Sequence, residues 1–198
     1  HTTLRRTFHR AEYYEGNPVV TPDKPWEMEG GHPTAMVFSD GVWYDPAEGL
    51  FKMWYMGGYC GWTCYATSKD GIHWEKPALE VVPGTNIVHP VARDSGTVWL
   101  DLEGQDPTQR YKMFIYPMGE GRGALWVYFS SDGIHWGDPV ARSGGCGDRS
   151  TVFWNPFRKV WVFSLREGLP ELGRVRRYRE HREVIAACEW NPGEAPLW

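Results

Sequence analysis

Hydrophobic residues in this chain fall in short runs that recur in a fixed order. Val42-Trp43-Tyr44-Asp45-Pro46 corresponds to Val98-Trp99-Leu100-Asp101, and again to Val152-Phe153-Trp154-Asn155-Pro156. Behind each lies a second run, at 50–55, 111–116 and 159–164, and a third follows at 63–67 and 125–129. The runs are aromatic and β-branched, too short for helices, and bounded by Gly, Pro and Asp, which predicts strands. Asp45-Pro46 and Asn155-Pro156 then head the hairpin loops between first and second strands.

The punctuation repeats as well. Ser68-Lys69-Asp70-Gly71-Ile72-His73-Trp74 returns as Ser130-Ser131-Asp132-Gly133-Ile134-His135-Trp136, with Gly71 and Gly133 62 residues apart. Asp-Gly turns a third strand into a fourth, because Gly tolerates positive φ and Asp bonds back to nearby amides. The two histidines belong to the turn, and its closing Trp is expected between blades. A long-looped, four-stranded unit repeated in this way predicts an all-β protein, a β-propeller. Blade units are expected at 34–90, 91–142 and 143–198, after an N-terminal segment 1–33. Three units are fewer than the roughly four that the smallest closed rings need. The chain also starts at His1 rather than Met. The expectation is therefore a fragment of a larger ring.

Composition narrows the partners. A net charge of −4 argues against a nucleic-acid binder, and no apolar run reaches membrane-spanning length. The basic stretch from Arg174 to Arg182 is diluted by Glu180 and reads as a solvated outer-blade strand. Of the four Cys, Cys60 and Cys64 flank a hairpin loop and either pair or stay free. Neither a metal site nor a cofactor is predicted.

Residues leading into the first strands converge at one mouth of a propeller although they lie far apart in sequence. Three acids hold those places: Asp40, Asp94 and Asp148. Counted back from Asp45, Asp101 and Asn155 their offsets are five, seven and seven, so Asp40 is out of step by two. Arg93-Asp94 and Asp148-Arg149 each set a cation beside a carboxylate, which favours its ionised form. Carboxylates around an aromatic pocket suit glycosidic bond cleavage, one protonating the leaving oxygen while another attacks or activates water. An Asp before a strand is equally a turn residue. Trp43, Trp62, Trp99 and Trp154 are candidates for stacking on sugar rings. His32 and His89, each followed by Pro, are candidates for holding sugar hydroxyls or orienting a carboxylate. Arg166-Glu167 supplies a Glu that is either a proton donor or half of a hairpin-tip salt bridge. Arg93, Arg149 and Arg166 together would form a phosphate site if all three pointed inward.

The segments Asn17–Glu27, 51–55 and 65–77 resemble the five-bladed propeller glycoside hydrolases, which include the invertase-like fructosidases and the arabinanase/xylosidase enzymes. Gly147-Asp148-Arg149-Ser150-Thr151-Val152-Phe153 with Gly173-Arg174-Val175-Arg176-Arg177-Tyr178 is similar to a bacterial, glycosyl-hydrolase-like branch of that superfamily. The resemblance implies a carbohydrate partner and a trio of Asp in blade one, Asp in blade two and Glu in blade three. Asp40 and Asp94 match by position, while the third blade carries Asp148. On this reading Asp40 is nucleophile or general base and Asp94 holds the sugar. Asp148, oriented by Arg149, or Glu167 gives the proton. Alternatives are a glycan-binding propeller without catalysis and a glycoside phosphorylase.

Overall fold

The computed structural model describes residues 3, 5–119, 123–191 and 193–198; residues 1, 2 and 4 of the N-terminal segment lie outside it. Each predicted unit is an antiparallel sheet. In blade 1, β1 (Ala35–Met36) and β2 (Val42–Asp45) both pair with β3 (Leu50–Gly57), which pairs with β4 (Trp62–Ser68). Two short strands, β5 (Trp74–Glu75) and β6 (Ile87–His89), complete it against β4. Blade 2 is β7 (Arg93–Leu100), β8 (Tyr111–Pro117), β9 (Ala124–Ser130) and β10 (Ala141–Gly145) in simple succession. Blade 3 is β11 (Thr151–Asn155), β12 (Val160–Leu169) and β13 (Gly173–His181), followed by a one-turn helix α1 (Val184–Ala187).

Two details differ from the sequence expectation. The boundary after 142 falls inside β10, whose Ser-Gly-Gly end carries no hydrophobic signal yet pairs through Gly145 with Ala124. In blade 3 the Asp-Gly turn is missing, and the last residues supply the fourth position: Tyr178 N–H donates to Pro196 and Trp198 N–H to Arg176. The basic stretch is β13, the third strand of that blade.

The recurring turn is built as its residues dictate. Asp70 Oδ1 accepts from the amides of Ile72 and His73 at 2.8 Å, its Oδ2 meets His73 Nδ1 at 2.7 Å, and Ser68 Oγ accepts from Gly71. Asp132, His135 and Ser130 reproduce it. Gly71 and Gly133 sit at φ +76° and +78°, which an L side chain rarely adopts.

Blades pack face to face through aromatic clusters. Trp54, Tyr65 and Val88 of blade 1 meet Val98, Tyr111, Tyr128 and Trp136 of blade 2. Trp136, one turn's closing residue, does lie between blades, whereas its counterpart Trp74 packs within the blade 1 cluster that Val20 and Trp26 of the N-terminal segment join. Phe114, Leu125 and Val127 of blade 2 meet Val152, Trp161 and Phe163 of blade 3. The N-terminal segment covers the other face of blade 1, where buried Glu27 is held by Tyr55 at 2.6 Å and Lys76 at 2.7 Å.

The two junctions differ at their hairpin end. Asp45, Lys52 and Tyr111 are all buried, and Asp45 accepts from Lys52 (3.1 Å), Tyr111 (2.6 Å) and Arg110 (2.7 Å). In the same register Asp101 pairs with Lys112 at 2.8 Å, but Val160 and Trp161 stand where Arg110 and Tyr111 stood. Lys112 rests on the Trp161 ring instead, 5.5 Å from its centroid.

Candidate functional site

The acid end of the inner strands carries a chain of ion pairs. Arg93 NH2 donates to Asp40 Oδ2 at 2.6 Å. Arg149 Nε lies 2.9 Å from Asp94 Oδ1, and Arg166 NH1 3.3 Å from Asp148 Oδ1. Arg177 donates to Glu167 across the β12–β13 hairpin. Because Arg93-Asp94, Asp148-Arg149 and Arg166-Glu167 are consecutive in sequence, the four pairs form one alternating array across three blades. Successive strand residues face opposite sides. Arg93 therefore reaches back to blade 1 while Asp94 reaches forward to the arginine of blade 3. This corrects the expectation that Arg149 orients Asp148: Arg149 serves Asp94, and Arg166 serves Asp148.

Exposure grades along the array. The Asp40 side chain is 1 % exposed, Asp94 15 %, Asp148 21 % and Glu167 37 %. Asp40 sits in a turn, 37–41, inserted between β1 and β2, where the pairing register with β3 jumps by three residues. The turn drives Asp40 between blades 1 and 2. A Cβ on Gly96 would lie 2.7 Å from Asp40 Oδ1, so the close approach requires glycine. Burial raises the Asp40 pKa to about 6 even though Arg93 pulls it down. A carboxylate so enclosed presents no face to a sugar. Asp40 as nucleophile is therefore not supported, and its reach is limited to Arg93.

Asp94 and Asp148, by contrast, share the offset of seven. Asp94 lies at a β-bulge, the register shifting between Arg93 and Ser95, and bulges re-aim side chains at sheet rims. Arg149 is fixed by its amide on Ser95 Oγ (2.9 Å) and by Arg176, which donates to its carbonyl at 2.6 Å. Its backbone is left-handed, φ +59°. Gly147 lets the Arg166 stem pass, since a Cβ there would stand 2.5 Å from Arg166 Cδ. Arg93 NH1, Arg149 NH1 and Arg166 Nε are buried without a protein acceptor among the described residues.

The aromatic candidates divide. Trp43 donates to the Val98 carbonyl at 2.8 Å and packs on Trp99 at 4.5 Å, and Trp99 packs on Trp161. These tryptophans, with Trp154, lie near the hairpin end of the inner strands and not among the acids; their first work is between blades. Trp62 opens β4 at the acid end, half-buried. His32 lies edge-on to Tyr59, 5.6 Å between centroids. His89 is buried against Tyr128, and burial together with Arg93 lowers its pKa to about 4, so it is neutral at neutral pH and away from the surface.

Sequence reasoning missed Phe38. Its ring is 56 % exposed and carries the Arg149 guanidinium at 4.0 Å. The signal was present: Phe38 occupies in blade 1 the offset of seven that Asp94 and Asp148 hold. The hairpin loop expected between Cys60 and Cys64 falls earlier, at 58–61, with Cys64 inside β4, and its Gly61 carbonyl accepts from Arg93 N–H at 3.2 Å. All four cysteines are free. Among the described residues no His/Cys/Asp/Glu group is arranged to hold a metal, and no helix is long and apolar enough to cross a membrane.

No protein-family model matches the sequence, and no curated protein matches it. Solved structures do. A fructofuranosidase from Schwanniomyces occidentalis, complexed with fructosylnystose, aligns at 18 % identity and a TM-score of 0.54 over 84 % of this chain and 34 % of its own. An α-L-arabinofuranosidase from Podospora anserina, in complex with cellotriose, aligns at 13 % and 0.53 over 79 % and 48 %. An endo-1,4-β-xylanase from Bacteroides thetaiotaomicron aligns at 11 % and 0.55 over 80 % and 52 %. The chain thus spans about a third to a half of their lengths. At such identities the likeness is one of fold: part of a β-propeller.

Proposed function

We propose that the chain forms part of a glycoside hydrolase and that its sugar site lies over Asp94 and Asp148. The observation that carries this reading is the alternating array, which sets two accessible carboxylates at equivalent places in adjacent blades. Asp94 and Asp148, each beside an arginine, offer the carboxylate oxygens that a nucleophile, a general base or a hydroxyl acceptor needs. The Arg149 and Arg166 side chains, 24 % and 25 % exposed, are candidate donors for sugar oxygens. Phe38, Trp62 and Tyr59 supply apolar surface at the same end. Asp40 acts indirectly, by fixing Arg93 and through it the bulge that aims Asp94. Glu167 gives up its pairing with Arg177 if it is to donate a proton.

One observation favours a second reading. Every accessible carboxylate of the array carries an arginine, an arrangement that suits binding better than proton donation. A glycan-binding propeller would need nothing more. A phosphorylase would need cations free for phosphate, whereas Arg93, Arg149 and Arg166 each hold an acid.

The test uses the protein on aryl arabinofuranosides, xylosides and galactosides and on the corresponding oligosaccharides. Asp94→Asn and Asp148→Asn are expected to lower kcat by about 10²-fold or more while sugar binding persists. Undiminished turnover in both variants would remove the axial reading. Binding without turnover by the unmodified protein would install the glycan-binding one.

A further inference from the structure

At the opposite end of the inner strands, between blades 2 and 3, lies a cavity of about 600 Å³ that the axial site does not use. It belongs to the size class of small-ligand sites. Its existence follows from the difference between the two junctions. Between blades 1 and 2, Arg110 and the Tyr111 hydroxyl fill the space beside Asp45. Between blades 2 and 3, Val160 and Trp161 take those positions, and neither reaches Asp101. The hairpin loop of blade 2 is also longer, running from Asp101 to Arg110, whereas the equivalent loop of blade 1 runs only from Asp45 to Leu50. It carries a short 3₁₀ turn, Pro107–Gln109, and stands as a wall beside the gap.

The lining is specific in kind. Trp154, half-buried, and Trp161 form an aromatic floor, while Gln105, Gln109, Asp106 and Arg182 stand among the polar side chains around it. Its charges are largely balanced within the wall: Asp101 holds Lys112 and Glu103 holds Lys159 at 2.6 Å. Asp106 is pinned by Thr108 and Gln109. A charge-balanced cavity with an aromatic floor and amide and carboxylate rims recognises a neutral polyhydroxylated ligand. Rings with apolar faces stack on tryptophan, and hydroxyls satisfy planar donors and acceptors.

We propose that this cavity is a second carbohydrate site, binding one or two residues of a neutral oligosaccharide, with Trp154 as its platform. It lies at the far end of β7 from Asp94, about 20 Å along the strand at its usual rise. It therefore holds a glycan without taking part in any chemistry at the acid end. It does not require that the acid end be catalytic.

Titration calorimetry of the protein with xylohexaose, arabinohexaose and a fructo-oligosaccharide tests the assignment. Trp154→Ala is expected to weaken binding by about tenfold, the loss of one aromatic platform. Gln105→Ala, at an exposed loop position that does not touch the core, guards against misfolding and is expected to weaken it by a few-fold at least, roughly one hydrogen bond. Asp94→Asn leaves this binding in place. If both cavity variants bind every probe as the parent does, the second site is wrong, and the axial reading is left to its own test. If binding follows the cavity variants while no sugar is turned over, the second site stands and the hydrolase reading falls. Absence of binding to every probe overturns both.

Discussion

The junction between blades 1 and 2 and the junction between blades 2 and 3 are made from the same strands in the same register, yet they are closed by different means. The first buries a polar knot: Asp45 takes hydrogen bonds from Lys52, Tyr111 and Arg110. Burial alone would raise the Asp45 pKa, but Tyr111 and Lys52 outweigh it and hold the carboxyl well below its ordinary value. At the second, Asp101 keeps one cation, Lys112, whose ammonium lies on tryptophan. A fully satisfied buried network specifies one geometry, whereas a lone pair over an aromatic face leaves room beside it. Repetition of backbone does not impose repetition of chemistry.

The largest expected contrast between the junctions comes from removing their acids. Asp45→Asn takes the shared carboxylate from buried Lys52 and Tyr111 and from Arg110 at once, leaving Lys52 only Glu48 as an ion-pair partner among the described residues. It should cost about 3 kcal/mol, against about 1 kcal/mol for Asp101→Asn, which breaks the one pair with Lys112. Urea unfolding of the two variants measures this, and equal costs would erase the distinction. Next comes the turn glycine. Gly133→Ala would bring a Cβ 2.5 Å from Trp54, a fully buried ring whose indole donates to the Gly133 carbonyl. Gly71→Ala meets only Phe51, at 3.9 Å. Both share the positive-φ cost of about 1 kcal/mol, and overpacking should add about 2 kcal/mol at Gly133 alone.

A pH comparison sharpens the acid end of the first junction. The Asp40 pKa is raised by burial to about 6, so between the unfolded value and about 6 the native chain keeps a proton that the unfolded chain has lost. Stability from this group is present at low pH and is lost as pH rises through about 6. From pH 4 to pH 7 wild type should lose about 2 kcal/mol relative to Asp40→Asn, which cannot titrate. If instead wild type gains on the variant over that interval, the Arg93 pairing governs the site. Smallest of all is Val160→Arg, which offers Asp101 the second cation that Arg110 gives Asp45; its effect on stability should stay under about 1 kcal/mol. Its value lies in binding, because the new side chain would enter the cavity between blades 2 and 3 and should displace any oligosaccharide there.

The architecture was legible because strand and turn signals are local and recur. Val-Trp-x-Asp in the first two units, the second runs and the two Asp-Gly turns each mark a strand or a turn where the structure has one. The acids at the mouth were legible as positions, and the short offset of Asp40 already marked it as different. Their partners were not legible. Arg93 beside Asp94 looks like a pair on paper, but a strand sends neighbours to opposite faces, and a bulge at Asp94 adds a further turn. The buried state of His89 and the interblade use of Trp43 and Trp99 depend on which blade faces which, and a run of letters does not carry that. The cavity was hidden for a related reason: it exists through what Val160 and Trp161 fail to fill.

The Arg93-Asp94 step has a consequence for how such rings grow and shrink. Each face of that dipeptide is a connector, with a plug toward the preceding blade and a socket toward the next. A gene segment that copies a whole unit copies both halves, so a duplicated or deleted blade leaves no orphaned charge at the mouth. A cut made anywhere between the two residues would strand one on each side.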